Sequence, residues 1–177
     1  DIPQFMKTTF DTIPVQESYY VVEPELQKQW VERLARDEKF RVGIVWAGNP
    51  EHKNDHNRSI DPALFQLMTD LADVSVYSLQ VGKDGEAKSV FGTQVTDLAP
   101  HFKNFADTAA AISQLDLVVS VDTSIIHLAG ALGRPVWTLL PFIPDWRWLM
   151  EREDSPWYPS MRLFRQQTRG DWNGVLQ

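Results

Sequence analysis

The sequence has no cysteine, no long apolar run and no excess of basic residues, and each absence excludes a class of protein. Without cysteine, disulfides and thiolate chemistry are excluded, and a reducing compartment is compatible, so we expect a cytoplasmic protein. No apolar run approaches the roughly 20 residues of a membrane-spanning helix. The formal net charge of −7 argues against nucleic acid as a partner, because phosphate-backbone binding needs a basic surface.

Several sequence fingerprints are missing as well. The glycine patterns of NAD-dependent oxidoreductases and P-loop nucleotide hydrolases do not occur, nor does the serine elbow of α/β-hydrolases. No Asp-x-Asp pair is present to hold a divalent cation on a diphosphate. His52 and His56 lack a third ligand at a convincing spacing. We therefore expect neither a metal nor a cofactor.

The pattern that is present is an alternation of apolar runs with helical segments. Near-continuous apolar strands separated by helices predict an α/β fold with a parallel sheet and helices on both faces. The predicted strands are Val42–Trp46, Val74–Leu79, Val95–Leu98, Leu117–Val121 and Val136–Leu140. The predicted helices are Pro24–Lys39, Pro62–Leu71 after Asp61, Ala87–Phe91, Thr108–Leu115 after Asp107, and Ser124–Leu132, with Gly133 at the C′ position.

The length of 177 residues favours one domain. Residues 1–23 show no periodicity and begin with Asp1, not Met, so we interpret them as a connection belonging to a longer protein. We expect the domain itself to span residues 24–177.

The stretch from Asp122 to His127 follows a predicted buried strand and opens a helix. Thr123 and Ser124 are good N-cap residues, and a helix N-terminus presents free N–H groups and a positive dipole end to an anion. The stretch therefore predicts a phosphate site. Asp122 is either a base or, more commonly, a structural cap. His127 falls on the first turn of the helix, although a lone histidine is more often a buried structural residue.

Other polar and small residues follow the predicted strands at the same sheet edge. Ala47, Gly48 and Asn49 allow a close backbone approach, and Arg58 is able to reach a phosphate from the following loop. The alternative is a solvated loop with scattered charges. Gln80 closes the second strand, where it can touch a nucleoside or simply end the strand. The aromatic run 141–148 predicts either a sugar-stacking platform or, preferably, packing of the C-terminal segment, with Arg147 as a weak anion contact.

These motifs, in this order, resemble glycosyltransferase family 9, the heptosyltransferase relatives, and especially bacterial members that carry tetratricopeptide repeats. The resemblance runs from about Thr9 to Gln177. The motifs are Val42–Pro50, Asn57–Ile60, Ser78–Gln80, Ser120–Thr123 with His127–Gly130, and Asp145–Trp148. The resemblance implies the C-terminal, nucleotide-sugar-binding half of a two-domain GT-B fold, with the N-terminal half of the same protein as its partner.

The resemblance also implies roles for individual residues. Asp122, Thr123 and His127 match the motif that holds the donor diphosphate. Ala47 and Gly48 replace a small or hydroxyl pair and leave backbone contacts. Arg58 replaces a lysine, and Gln80 replaces a glutamate that contacts ribose. The family's base is a carboxylate of the N-terminal half, so this chain contains no candidate base.

The implied reaction is metal-independent transfer of a glycosyl group from a nucleoside diphosphate sugar to an acceptor hydroxyl. The acceptor, whether glycan, lipid or protein, is open. Arg58 and His127 would help the diphosphate leave. A non-catalytic nucleotide-sugar-binding module and a sugar-nucleotide epimerase-like half remain as alternatives.

Overall fold

The computed structural model describes residues 2–34 and 38–176, and a six-stranded, fully parallel sheet lies at the centre of this part of the chain. The strand order is β3-β2-β1-β4-β5-β6. The strands are β1 (Phe40–Val45), β2 (Val74–Ser78), β3 (Val95–Asp97), β4 (Leu117–Val121), β5 (Val136–Leu140) and β6 (Met161–Arg165). The order reverses between β1 and β4, which is the switch point where open α/β sheets bind ligands.

Helices cover both faces of the sheet. The α-helices are α1 (Ile2–Phe5), α2 (Pro24–Arg33), α3 (Asp55–Arg58), α4 (Gln66–Thr69), α5 (Glu86–Phe91), α6 (Phe105–Ile112), α7 (Ser124–Ala131) and α8 (Asn173–Leu176). Short 3-10 helices span Phe10–Thr12, Pro62–Phe65, Ala99–His101 and Trp146–Trp148. No helix in the described part of the chain is long and apolar enough to cross a membrane.

The central strand β4 explains the two-sided packing. All of its residues are buried, and successive residues enter different apolar clusters. Val118 packs with helices α2, α6 and α7. Val119 packs on the other face with Phe65 and Phe91. A strand buried on both faces reads as a continuous apolar run, which is why the sequence predicts it with its observed bounds.

Several predicted elements have different bounds in the structure. Helix α6 begins at Phe105, not Thr108, because Asn104 caps it by accepting from the N–H groups of Ala106 and Asp107. The carboxylate of Asp107 instead accepts from the N–H of Lys103 at 3.0 Å. The prediction of Asp107 as the cap was therefore wrong.

Other differences are smaller. The helix predicted over Pro62–Leu71 is a 3-10 turn followed by a short α-helix, with Asp61 confirmed as its cap. Helix α2 ends at Arg33, and residues 35–37 of the predicted helix lie outside the described residues. Strand β6 was not predicted. Gly133 has a φ of 68°, which confirms the left-handed position after α7.

Candidate functional site

A cavity of about 700 Å³ lies at the carboxyl edge of the sheet, beside the switch point. This lies within the roughly 300–1,000 Å³ of small-molecule sites. Arg58 and Lys103 line the cavity, and no carboxylate lies among its described lining residues. The lining residues are Val45, Ala47–Pro50, Arg58, Leu79–Gly82, Phe102–Phe105, Thr108 and Thr123–Ile125. In a chain of net charge −7, these two cations favour an anionic ligand, although Arg58 also pairs with Asp55.

Helix α7 presents its N-terminus to this cavity. Thr123 is the N-cap, with extended backbone angles and a hydroxyl that accepts from the N–H of Ile125 at 3.3 Å. Ser124 follows as the first helical residue and is exposed. The first-turn N–H groups of a helix have no partner within the helix, so they are available to an anion. The predicted strand, turn and helix at this position are confirmed.

Arg58 lies at the end of helix α3 and is fixed by contacts within the protein. Its Nε donates to Asp55 Oδ1 at 3.0 Å, and its Nη1 donates to the carbonyl oxygen of Asp122 at 3.0 Å. A Cβ atom at Gly48 would lie 2.6 Å from the guanidinium carbon. Gly48 therefore leaves the space that the Arg58 side chain occupies on its way to the cavity. Asp55 orients the guanidinium group, and the sequence analysis did not single out this residue.

The loop after β1 uses its backbone N–H groups inside the protein. The N–H of Ala47 donates to Gln80 Oε1 at 2.8 Å, and that of Gly48 donates to the Ser59 hydroxyl at 3.1 Å. These N–H groups, which the resemblance suggests as ligand contacts, are already engaged. Asn49 lines the cavity, and its side-chain oxygen accepts from the N–H of Glu51 at 3.0 Å.

Gln80 is a buried link between the loops that follow β1 and β2. Its side-chain oxygen accepts from Trp46 and Ala47, and its amide nitrogen donates to the carbonyls of Ala47 and Val81, at 2.8–3.1 Å. The residue is only 5% exposed. Since both ends of the carboxamide are occupied, Gln80 shapes the cavity wall instead of offering its side chain to a nucleoside.

Asp122 supports the neighbouring aromatic residues. Its carboxylate accepts from Trp148 Nε1 at 2.9 Å. Trp148 is fully buried and stacks against His127, with ring centroids 5.4 Å apart. The geometry gives Asp122 a structural role, but the prediction of Asp122 as the helix cap was wrong, because Thr123 caps α7.

His127 faces a second cavity of about 490 Å³, which Arg58 does not line. Its Nδ1 lies 3.1 Å from the Tyr158 hydroxyl. Burial lowers the pKa of His127, and the carboxylate of Asp122 opposes that effect. The second cavity is lined by Ile13, Pro14, Tyr19, His127, Trp146, Arg147, Trp157 and Tyr158. His127 and Arg58 therefore line different cavities.

The aromatic run contains both packing and exposed residues. Trp148 belongs to the core, whereas Trp146 is 69% exposed and meets Trp157 edge to face at 6.4 Å. Arg165 holds the backbone at the end of this run, because its Nη2 donates to the carbonyl oxygen of Leu149 at 2.6 Å. The packing interpretation therefore holds for Trp148, whereas a sugar-stacking role for the exposed Trp146 stays a prediction.

The sequence analysis missed the part of the 700 Å³ cavity that is lined by residues around the start of α6. Lys103 and Phe105 lie around the start of α6, and Asn104 caps that helix. A strong N-cap residue at 104 was the available signal.

In the described part of the chain, no group of three or more His, Cys, Asp or Glu side chains is arranged to hold a metal ion.

Comparison with known proteins agrees with this architecture. Residues 83–144 match the sequence model of Glycosyltransferase family 9 (heptosyltransferase). Protein FlbA of Caulobacter vibrioides is 27% identical over 97% of this chain, which spans 30% of FlbA.

Solved structures share the fold at low sequence identity. A glycosyl transferase family 9 structure from Veillonella parvula aligns with a TM-score of 0.64 at 12% identity, over 84% of this chain and 42% of that one. The E. coli ADP-heptose LPS heptosyltransferase II aligns with a TM-score of 0.60 at 18% identity, over 88% of this chain and 52% of that one. The chain thus spans about half the length of these structures. The match over residues 83–144 and the shared fold confirm the resemblance of this chain to glycosyltransferase family 9, with the α/β architecture of one half of a GT-B glycosyltransferase.

Proposed function

We propose that this chain binds the nucleoside diphosphate sugar donor of a glycosyltransferase in the 700 Å³ cavity. The observation that carries the proposal is the convergence of Arg58, Lys103 and the N-terminus of α7 on a cavity whose described lining residues include no carboxylate. A diphosphate fits this arrangement, because it needs N–H donors and positive charge. The family match over residues 83–144 supports the same reaction class.

The two ends of the cavity suit different parts of the donor. The diphosphate would lie between Thr123, Ser124 and Arg58. Val81, Phe102 and Phe105 provide an apolar end, and Phe105 is 55% exposed, so a nucleobase can stack there. The glycosyl group would extend past the first turn of α7 toward His127 and the exposed Trp146.

In the proposed reaction, the bond between the anomeric carbon and the diphosphate oxygen breaks, and a bond to the acceptor oxygen forms. The leaving diphosphate takes the electron pair, and Arg58, Lys103 and the N–H groups at Thr123 and Ser124 stabilise its charge. The acceptor proton goes to a base that we assign to another part of the protein. Because cationic side chains neutralise the leaving group and no carboxylate lines the cavity to hold a divalent cation, we propose a reaction without metal.

In this proposal the donor-binding domain spans residues 24–177, with residues 1–23 as its connection to the other half. Arg58 would contact the diphosphate directly. Asp122 and Gln80 would act as positioning residues, Asp122 through Trp148 and Gln80 through the loop after β1.

A thermal-shift panel of UDP, GDP, ADP and their sugars tests donor binding. A ligand at about a hundredfold its dissociation constant stabilises a protein by roughly 2.7 kcal/mol. We expect one nucleotide class to stabilise the protein and Arg58→Ala to abolish most of that shift. Arg162→Ala, on an exposed strand position away from the cavity, is the matched control. Equal shifts in wild type and Arg58→Ala contradict the proposal.

Turnover provides a separate test. Removing one preorganised donor to a leaving group costs about 2.7–4 kcal/mol of barrier, or roughly a hundredfold to a thousandfold in kcat. We expect this loss for Arg58→Ala at saturating donor. An unchanged kcat removes Arg58 from the mechanism.

A binding module without catalysis is the second candidate, because no carboxylate in the donor cavity can serve as a base. Radiolabelled donor with cell extract separates the cases. Labelled acceptor indicates transfer, retained donor indicates binding alone, and an altered donor sugar indicates an epimerase.

A further inference from the structure

A third cavity opens between the loop after β1 and the ends of β5 and β6. Its volume is about 240 Å³, and it shares no lining residue with the other two cavities. Its lining residues are Asn54, His56, Asn57, Pro141, Phe142, Ile143, Gln166, Arg169, Gly170 and Trp172. The family resemblance assigned none of the polar residues among them to a ligand.

Gln166 is the informative residue of this cavity. It is 3% exposed, and its side-chain oxygen accepts from the N–H groups of Phe142 at 3.1 Å and Gly170 at 3.0 Å. These two bonds fix the orientation of the carboxamide. Its NH₂ group is buried and has no hydrogen-bond partner in the described part of the chain. A buried donor without an acceptor is costly and calls for a bound partner.

Arg169 is the charged side chain among the described lining residues of this cavity. Arg169 lines it without an ion pair to any described carboxylate, and His56 lies in the same wall. No Asp or Glu is among the lining residues. The carboxylates that neighbour the cavity in sequence are engaged elsewhere, Asp55 with Arg58 and Asp171 with the N–H of Gly174. Asp171 keeps its negative charge two residues from Arg169, but the described lining of the cavity itself contains a cation and hydrogen-bond donors and no carboxylate.

We propose that this cavity binds a small oxyanion, a carboxylate or phosphate group carried on a compact molecule of about monosaccharide size. Arg169 provides the charge, and the Gln166 amide provides a directed donor. Trp172 and Phe142 form apolar walls against which a sugar ring can pack. This inference does not rest on the proposed function, because it uses none of the donor-cavity residues.

Binding of inorganic phosphate, glucuronate and neutral glucose to the protein tests the inference. The experiment uses the Arg58→Ala background, in which we expect any phosphate binding at the donor cavity to be weaker. The side-chain NH₂ resonance of Gln166, identified by its loss in Gln166→Glu, reports binding at this cavity. We expect a saturable shift with phosphate, glucuronate or both, and none with glucose. A response to phosphate alone indicates a phosphate ligand, and a response to glucuronate alone indicates a carboxylate.

Two variants carry the argument. Arg169→Ala changes an exposed side chain and is expected to weaken anion binding at least about tenfold. Gln166→Glu still accepts from Phe142 and Gly170, yet it lacks the donor and adds a negative charge, so calorimetry should show a similar loss. Arg162→Ala should bind as the background does. No saturable anion binding, or equal affinity in Arg169→Ala, overturns the proposal, and so does a glucose response as strong as that of glucuronate.

Discussion

Replacing Gln80 with glutamate changes one atom type at the link between the loops after β1 and β2. The two N–H groups of Trp46 and Ala47 keep their acceptor. The carbonyl oxygens of Ala47 and Val81, which now accept from the Gln80 amide at 3.1 and 3.0 Å, would face a carboxylate oxygen instead. The variant therefore isolates the donor function of the side chain.

The magnitude follows from the burial of the two carbonyls. A buried acceptor without a donor costs about 1–3 kcal/mol. Ala47 is 6% exposed, so its carbonyl oxygen would lose its donor without gaining a water. Val81 is 61% exposed, so water can reach its carbonyl oxygen. With the cost of burying a charge added, we expect Gln80→Glu to lower the free energy of unfolding by about 2–4 kcal/mol at pH 7.

The effect should depend on pH. Burial and the facing carbonyls favour the protonated acid, so the folded-state pKa of the introduced carboxyl group lies above the unfolded value of about 4.3. Between these two pKa values the folded protein binds the extra proton, and stability increases as the pH falls. A protonated acid also regains one donor. The deficit relative to wild type should therefore shrink between pH 7 and pH 5.

Urea unfolding followed by tryptophan fluorescence at several pH values measures both effects. Gln94→Glu, at an exposed position, is the control for adding a charge. The reasoning is refuted if Gln80→Glu is as stable as the control at pH 7. It also fails if the deficit grows as the pH falls.

Three further predictions concern the second cavity, which His127 lines, and the residues packed beside it. Since burial lowers the pKa of His127 below 6.5, the unfolded state binds the proton more readily, and stability should fall as the pH drops through that value. His127→Gln should therefore show a smaller fall in Tm between pH 7.5 and pH 5.5 than the wild type. An identical fall in the two proteins contradicts this prediction. Gly130→Ala places a Cβ 2.5 Å from the Tyr158 ring and should destabilise by about 1–3 kcal/mol in urea, a loss that truncating Tyr158 to Leu should relieve. Trp148→Phe leaves the Asp122 carboxylate without its donor and should cost about 1–3 kcal/mol, so wild-type stability in that variant would remove Asp122 from its supporting role.

Strand β4 and the cap of α7 were predicted correctly, whereas the cap of α6 was not. Strand β4 and helix α7 have the expected starts, because a two-sided apolar run and an N-cap threonine are local properties of the chain. Strand β6 was missed, because Met161–Arg165 alternates buried and exposed positions between polar segments and gains its place only by pairing with β5.

The sequence by itself determined the α/β class, the strand, turn and helix N-terminus around Thr123, and the lack of metal-binding or glycine-rich sequence fingerprints. These depend on residue type and short-range periodicity. Only the tertiary structure decided which groups are free to meet a ligand. In the fold, Gln80 and the N–H groups of Ala47 and Gly48 find partners within the protein. Lys103 lines the same cavity as Arg58, and His127 lines a different one. Hydrogen-bond partners distant in the chain compete for each polar group, and that competition has no signature in local sequence.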